Sequence, residues 1–314
     1  MKVFDGVASV DPALRGAVLT VGNFDGVHLG HQRILRTARA LAKVSSGAVI
    51  AMTFEPHPLT LLAPAHAPAR LTPWDEKLRQ LQAAGADAVV RLATDWPLLT
   101  LSAEDFVRDV LVKRIHPSYI VEGPSFGFGQ GRGGDVQTLR KMSARGGFQV
   151  HVVAPYRLHL GERQQIVVCS TKIRQCLAAG EWAEAAACLG RPYSLLGTVV
   201  RGAGAGKKLG YPTINLDVSR QLIPAEGVYA GISTVAGHRR AAAVSIGRRP
   251  TLGGQSLVVE AFCLDDSGDW YGQPARIELL AFLRAQKRFE SRDALTAQIA
   301  RDIEIVRRTT IGKV

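Results

Sequence analysis

Apolar residues in the first half of the chain fall in short unbroken runs, separated by stretches where they recur every three or four positions. The runs 16–22 (GAVLTVG), 47–58 (GAVIAMTFEPHP), 86–93 (ADAVVRLA), 118–123 (SYIVEG) and 146–156 (GGFQVHVVAPY) predict strands of a buried parallel sheet. Between them, Ile34, Leu35, Ala38 and Leu41 share one helical face, and 76–85 (EKLRQLQAAG) predicts a second helix ending at Gly85. A third helix spans 102–115, with Ser102 as N-cap and Asp105 at the capping-box position. The stretch 126–135 (FGFGQGRGGD) holds five glycines in ten residues and reads as a loop too flexible for the core. Residues 170–190 predict a helical pair punctuated by Gly180 and Gly190.

Beyond Leu195 the pattern changes. Short runs at 197–202, 227–235, 239–247, 257–264 and 275–283 are separated by turns, with no long helix until 291–308, where Leu295, Ile299, Ile303 and Val306 form one stripe. This predicts an antiparallel barrel or sandwich with a terminal helix on its wall. The expected fold class is therefore α/β plus all-β. A Rossmann-like domain over 1–185 precedes a β domain over 186–314.

Composition narrows the partners. A length of 314 residues suits two domains that need no staples. Cys169, Cys176, Cys188 and Cys263 form no CxxC pair, which points away from a disulfide framework and a structural zinc site. Asp5 and Asp11 interrupt any leader-like apolar stretch, and no run reaches 18 apolar residues; a cytoplasmic protein without membrane association is expected. The net charge of +12 favours anionic partners. Scattered cations and only 6% aromatics favour phosphorylated small molecules over nucleic acid.

The first candidate site, GNFDGVHLGH, follows a predicted strand and opens a helix, the usual ligand position in a parallel sheet. It has neither a Walker GK[ST] nor a GxGxxG fingerprint. His28 and His31 could bind a metal with a distant third ligand, cap the helix, or donate to an anion at its positive end. In 169–174 (CSTKIR), Ser170 or Thr171 would cap a helix, while Lys172 and Arg174 stand in a first turn that usually prefers acids. That inversion suits a polyphosphate or a solvated basic turn.

In the second domain, RGAGAGKKLGYPTINL imitates a P-loop but carries Arg201 and Lys208 at two required positions. Gly202, Gly204, Gly206, Lys207 and Gly210 make a cationic, glycine-rich flap able to approach phosphates. After Pro212, Thr213 and Asn215 are spaced to leave one face of a strand, either as oxygen ligands for a hard cation or as a turn. Glu260 sits among Val258, Val259, Ala261 and Phe262, where a buried carboxylate needs a partner or a task such as general base.

Taken in order, GNFDGVHLGH, FEPHP and STKIR resemble the nucleotidyltransferase module of bacterial bifunctional riboflavin kinase/FAD synthetases. From about Gly190 to Arg307, the flap, LIPAEGVYAG, SIGRRPT and VVEAFCLDDSGDWYG resemble their kinase module. The resemblance implies a riboflavin-kinase-type barrel that phosphorylates riboflavin to FMN, and an N-terminal domain that adenylylates FMN to FAD, with ATP and Mg²⁺ in both. It implies that His28 and His31 contact ATP phosphates, that Gly22, Asn23, Phe24, Asp25 and Gly26 shape the nucleotide loop, and that Ser170, Thr171 and Arg174 hold the triphosphate. It assigns Mg²⁺ and ATP to Thr213 and Asn215, and the ribityl hydroxyl proton to Glu260. The partners implied are these small molecules and a transient homo-oligomer. Ser125, Cys169 and Ser245 depart from the residues usual at their positions; Ser125 leaves open a kinase with a weakened adenylyltransferase, and a non-catalytic flavin-binding regulator is the third reading.

Overall fold

The computed structural model describes residues 1–159, 165–202, 206, 210–218, 221–251, 254–265 and 268–314, excepting the side chains of 249–251 and 254–256. Gly204 and Lys207 of the expected flap lie outside the described residues. Packing divides the chain into two compact units, Met1–Pro68 with Trp74–Cys169, and Ala69–Pro73 with Ser170–Val314. The helical pair 170–190 thus groups with the β-rich unit.

The first unit runs β1 (Lys2–Asp5), β2 (Val18–Val21), α1 (Leu29–Val44), β3 (Val49–Glu55), α2 (Trp74–Ala83), β4 (Ala88–Ala93), β5 (Tyr119–Glu122), α3 (Val136–Gly146) and β6 (Gln149–Val152). Its sheet has the order β1-β4-β3-β2-β5-β6, and every pairing is parallel. Successive residues of a strand face opposite sides, so Val18, Val49, Ala51 and Val89 pack with Leu35, Ala38 and Leu81 from the helices. Leu19, Ile50, Met52, Val90 and Ile120 pack on the other face with Phe106 and Leu111. Burial of a side chain such as Leu35 contributes about 2–3 kcal/mol.

Two local features differ from expectation. Ser102 does cap its helix, accepting from Asp105 N at 3.0 Å, but Phe106–Val112 continues with π-type bonding that turns Phe106, Val107, Val110 and Leu111 inward. The glycine-rich stretch is no floppy loop: Phe128 is buried, stacks near Phe106 at 5.7 Å and Phe126 at 5.2 Å, and Gly127–Phe128 pairs with Gly134–Asp135. Gly134 there makes room for the Phe128 ring.

The second unit runs α4 (Ser170–Ala178), α5 (Trp182–Leu189), β7 (Tyr193–Val200), β8 (Ile214–Asp217), β9 (Gly227–Val235), β10 (His238–Thr251), β11 (Gly254–Cys263), β12 (Pro274–Arg284) and α6 (Arg292–Thr310). The strands close into an antiparallel barrel of order β7-β8-β11-β10-β9-β12, with β12 returning to β7. Leu195, Leu216, Tyr229, Val244, Ile246, Val259, Ala261, Ile277 and Leu279 are buried and alternate into its interior. On the outer wall, Val306 of α6 packs with Ala230 and with Ala241, Ala243 and Phe262. Asp302 of α6 is buried, and Arg284 clasps it with Nη2 at 2.8 Å and Nε at 3.0 Å from one carboxylate oxygen.

Asp302→Ala strands the Arg284 guanidinium beneath α6. The expected result is a loss of about 3 kcal/mol from the barrel's unfolding free energy, read by urea denaturation.

Candidate active sites

The strand order of the parallel sheet reverses between β2 and β5, which opens a crevice at their carboxyl ends. The GNFDGVHLGH loop leaves β2 at this point. Gly22 N still donates to Met52 O at 3.0 Å, after which Phe24 (φ 45°), Gly26 (φ 86°) and Val27 (φ 38°) take left-handed backbone conformations. Such strain costs about 1–3 kcal/mol at a non-glycine residue. Phe24 and Val27 are held in it by complete burial of their side chains in the α1 core.

His28 is the N-cap of α1. Its Nδ1 accepts from His31 N at 3.3 Å, which leaves the ring hydrogen on Nε2 of the neutral imidazole. The His28 and His31 rings stack with centroids 3.7 Å apart and planes at 18°, and Phe24 sets its edge against His31 at 5.2 Å. Gly30 makes this stack feasible: a Cβ there would stand 3.0 Å from His28 Cε1 and 3.1 Å from Nδ1. Asn23 meets His57 of the FEPHP turn at 3.1 Å. Leu59 N donates to His57 Nδ1, so His57 Nε2 carries a hydrogen and calls for the amide oxygen of Asn23 at this contact. Asp25 is buried within the same loop.

Two residues here escaped the sequence reading. His57 was visible only as part of a proline turn. Glu122, the last residue of β5, is 3% exposed and accepts from Val21 N at 2.6 Å. Burial pushes its carboxyl well above the usual carboxylate range, against the Val21 N–H and the Thr20 hydroxyl. A lone acid closing an apolar strand was its signal, the same signal that singled out Glu260.

In the second unit, α4 begins at Ser170, with Thr171 exposed beside it. Arg174 Nε donates to Ala69 O at 2.7 Å. Lys172 turns toward α5, with Nζ 3.6 Å from Glu181 and 3.7 Å from Glu184, so its charge at this helix start answers those acids. Cys176 lies in the same cluster, and burial pushes its thiol up to about 11.

On the barrel, register places Asn215, Glu260 and Ser245 in one row across β8, β11 and β10. The row faces outward. Glu260 is half-buried, while its apolar neighbours Val259 and Ala261 point into the barrel, which corrects the picture of a carboxylate enclosed by apolar side chains. Asn215 is buried, and a Cβ on Gly202 would fall inside its amide group, so only glycine fits where the flap begins. Thr213 precedes β8, and its hydroxyl would lie 3.3 Å from a Cβ on Gly206. Tyr211 N donates to Gly206 O at 2.9 Å, and the Tyr211 ring meets Phe262 edge-on at 5.4 Å, two positions from Glu260. Exposed Pro212 and Gly210 (φ 83°) complete the described part of the flap. Gln286, also missed in sequence, donates from Nε2 to Ser245 Oγ at 2.9 Å and Ile246 O at 3.0 Å.

Residues 10–172 match the FAD synthetase family, and residues 189–310 match the riboflavin kinase family. The chain is 38% identical to a bifunctional riboflavin kinase/FMN adenylyltransferase of Escherichia coli over 99% of its own length and 98% of the relative's. The chain belongs to this bifunctional family. A Haemophilus influenzae relative with the same two activities is 34% identical, with 97% of each chain covered. A solved structure described as a macrolide-efflux protein from Streptococcus pneumoniae superposes with a TM-score of 0.87 at 27% identity, covering 98% of this chain and 99% of that one. Among the described residues no helix is long and apolar enough to cross a membrane.

As a riboflavin kinase/FMN adenylyltransferase, the protein phosphorylates riboflavin to FMN and adenylylates FMN to FAD, with ATP as donor in both reactions. The parallel-sheet crevice lies within the adenylyltransferase match, and the Asn215–Glu260 row within the kinase match. In this enzyme Gly30→Ala pushes a methyl group against His28. FAD formation from FMN is expected to fall about tenfold or more through misplacement of that ring, with FMN formation from riboflavin unchanged, as chromatography of both products would show.

Proposed function

We propose that the two activities run on separate residue sets, divided functionally at 185/186, with FMN adenylylation carried by the His28–His31 stack and riboflavin phosphorylation by Glu260 beside Asn215. The family matches at 10–172 and 189–310, on either side of that division, support it. For adenylylation the supporting observation is the capped helix end. His28 spends Nδ1 on His31 N, carries its ring hydrogen on Nε2, and stacks on a second imidazole at the positive end of α1.

A phosphate oxygen of FMN attacks the α-phosphorus of ATP, the α–β phosphoanhydride bond breaks, and pyrophosphate leaves. Charge on the α-phosphate oxygens grows in the transition state, and donors already fixed in place stabilise it without reorganising. Gly22, Asn23, Phe24, Asp25 and Gly26 hold the loop in the conformation that presents them. Ser170, Thr171 and Arg174 are assigned to the triphosphate, as hydroxyl and guanidinium donors at the start of α4.

In the kinase half, Glu260 takes the proton of the ribityl terminal hydroxyl as its oxygen attacks the γ-phosphorus and ADP departs. Asn215 and Thr213 offer an amide and a hydroxyl oxygen, a hard donor pair that fits Mg²⁺, and the Asn215 amide is buried against Gly202. Bound there, Mg²⁺ would neutralise phosphate charge. Gly202, Gly206 and Gly210, with Pro212, let backbone approach the nucleotide; Gly204 and Lys207 are assigned to the same flap.

His31→Ala is expected to lower FAD formation from added FMN by about 10²–10³-fold while FMN formation persists. Glu260→Ala should do the reverse. Both follow from product chromatography of FMN formed from riboflavin and of FAD formed from added FMN; a variant that loses both of these separate reactions overturns the division.

A further inference from the structure

We propose that Glu122 is a positioning residue for adenylyl transfer: its carboxyl bridges the splayed ends of β2 and β5 and thereby sets where the His28–His31 stack stands. The inference rests on the reading of that stack as the donor pair for the ATP α-phosphate. Pairing between β2 and β5 stops at Leu19 and Ile120. Beyond that point the strands part to form the crevice, and Val21 N has no ladder acceptor on β5. Glu122 Oε1 supplies one, at 2.6 Å, across 101 residues of chain. The next residue of β2 opens the histidine loop.

Glu122 also begins the second loop of the crevice. Its carbonyl accepts from Val153 N at 2.8 Å, and the following residue, Gly123, accepts from Phe126 N at 3.2 Å in the turn that carries Ser125. One residue thus ties the root of the histidine loop to the root of the Ser125 loop.

The surroundings give this tie a pH signature. Burial makes the carboxyl hold its proton over a range in which an exposed glutamate has lost it, and the Val21 N–H and Thr20 hydroxyl that bear on it are uncharged. On paired β6, His151 stands opposite Val121 and is exposed. On α1 the titratable groups at this end are His28 and His31. On the segment packed over the other face, Asp105 and Asp109 are engaged with Arg108. Ionisation of Glu122 places an unpaired negative charge at the crevice that receives the anionic nucleotide.

The test compares wild type, Glu122→Gln, Glu122→Ala and His31→Ala in FAD formation from FMN and ATP across pH 6–10, with FMN formation from riboflavin followed in parallel. Glu122→Ala is expected to lose about tenfold in kcat/KM for FAD formation at every pH, as a misplaced donor pair would cause. Glu122→Gln, which keeps the acceptor and cannot ionise, should restore it, and its ratio to wild type should climb as pH rises while the FMN-forming ratio stays flat. Thermal melting supplies a fold control. Wild type binds more protons folded than unfolded above the usual glutamate range, so its stability falls as pH rises toward the raised value. The melting advantage of Glu122→Gln should therefore widen with pH. Superimposable wild-type and Glu122→Gln activity profiles, or a fully active Glu122→Ala, overturn the proposal. An active His31→Ala instead overturns the reading of the histidine stack.

Discussion

The N-terminus of α1 is closed by a side chain from the helix's own boundary, and much of the candidate adenylyltransferase site's geometry follows from that bond. An N-cap serine would satisfy the same N–H with an oxygen. Imidazole does so with one nitrogen and carries its ring hydrogen on the other, at the cost of space that serine would not need. That space comes from Gly30, which has no Cβ to meet the ring, and from a loop bent through left-handed conformations at Phe24 and Val27. The bend in turn requires deep apolar anchors, and both side chains are 1% exposed. A helix cap, a glycine and two strained core residues are therefore one device.

The barrel solves a related problem on the opposite side of its wall. The interior of its six-stranded closure is lined by buried side chains such as Tyr229, Val244 and Leu279. The candidate chemistry therefore lies on the outward residues of the strands, where Asn215, Glu260 and Ser245 fall in one row. An outward site is wet unless something covers it, and the flap begins by laying Gly202 directly on Asn215. Shielding raises the strength of every charge interaction with phosphate. Transfer reactions of this kind need positioning and charge compensation more than covalent chemistry.

Periodicity was enough to place the core strands and the helices between them, because a buried parallel strand is a continuous apolar run and an amphipathic helix repeats near 3.6. It missed β1, whose Lys2, Val3 and Asp5 are exposed at the sheet edge and carry no burial signal. It misread 126–135, because glycine content measures chain freedom in isolation, whereas Gly134 here accommodates the Phe128 ring. Candidate site residues come from local motifs: His28, His31, Thr213 and Asn215 each sit in a short pattern. Glu122, His57 and Gln286 act through partners 101, 34 and 41 residues away, respectively Val21, Asn23 and Ser245, and no local pattern encodes such pairings.

Register also decides what an unusual residue means. Ser245, one of the departures noted from the family pattern, occupies the same cross-strand row as Glu260. Gln286 comes in from the segment after β12, donating to the serine hydroxyl and to the Ile246 carbonyl. Its amide thus holds side chain and backbone of β10 together, and Gly247 lies close enough that a Cβ would meet the amide nitrogen at 3.1 Å. This end of the candidate row is tied by a residue from another element. A substitution that looks local in sequence has become a contact between distant segments.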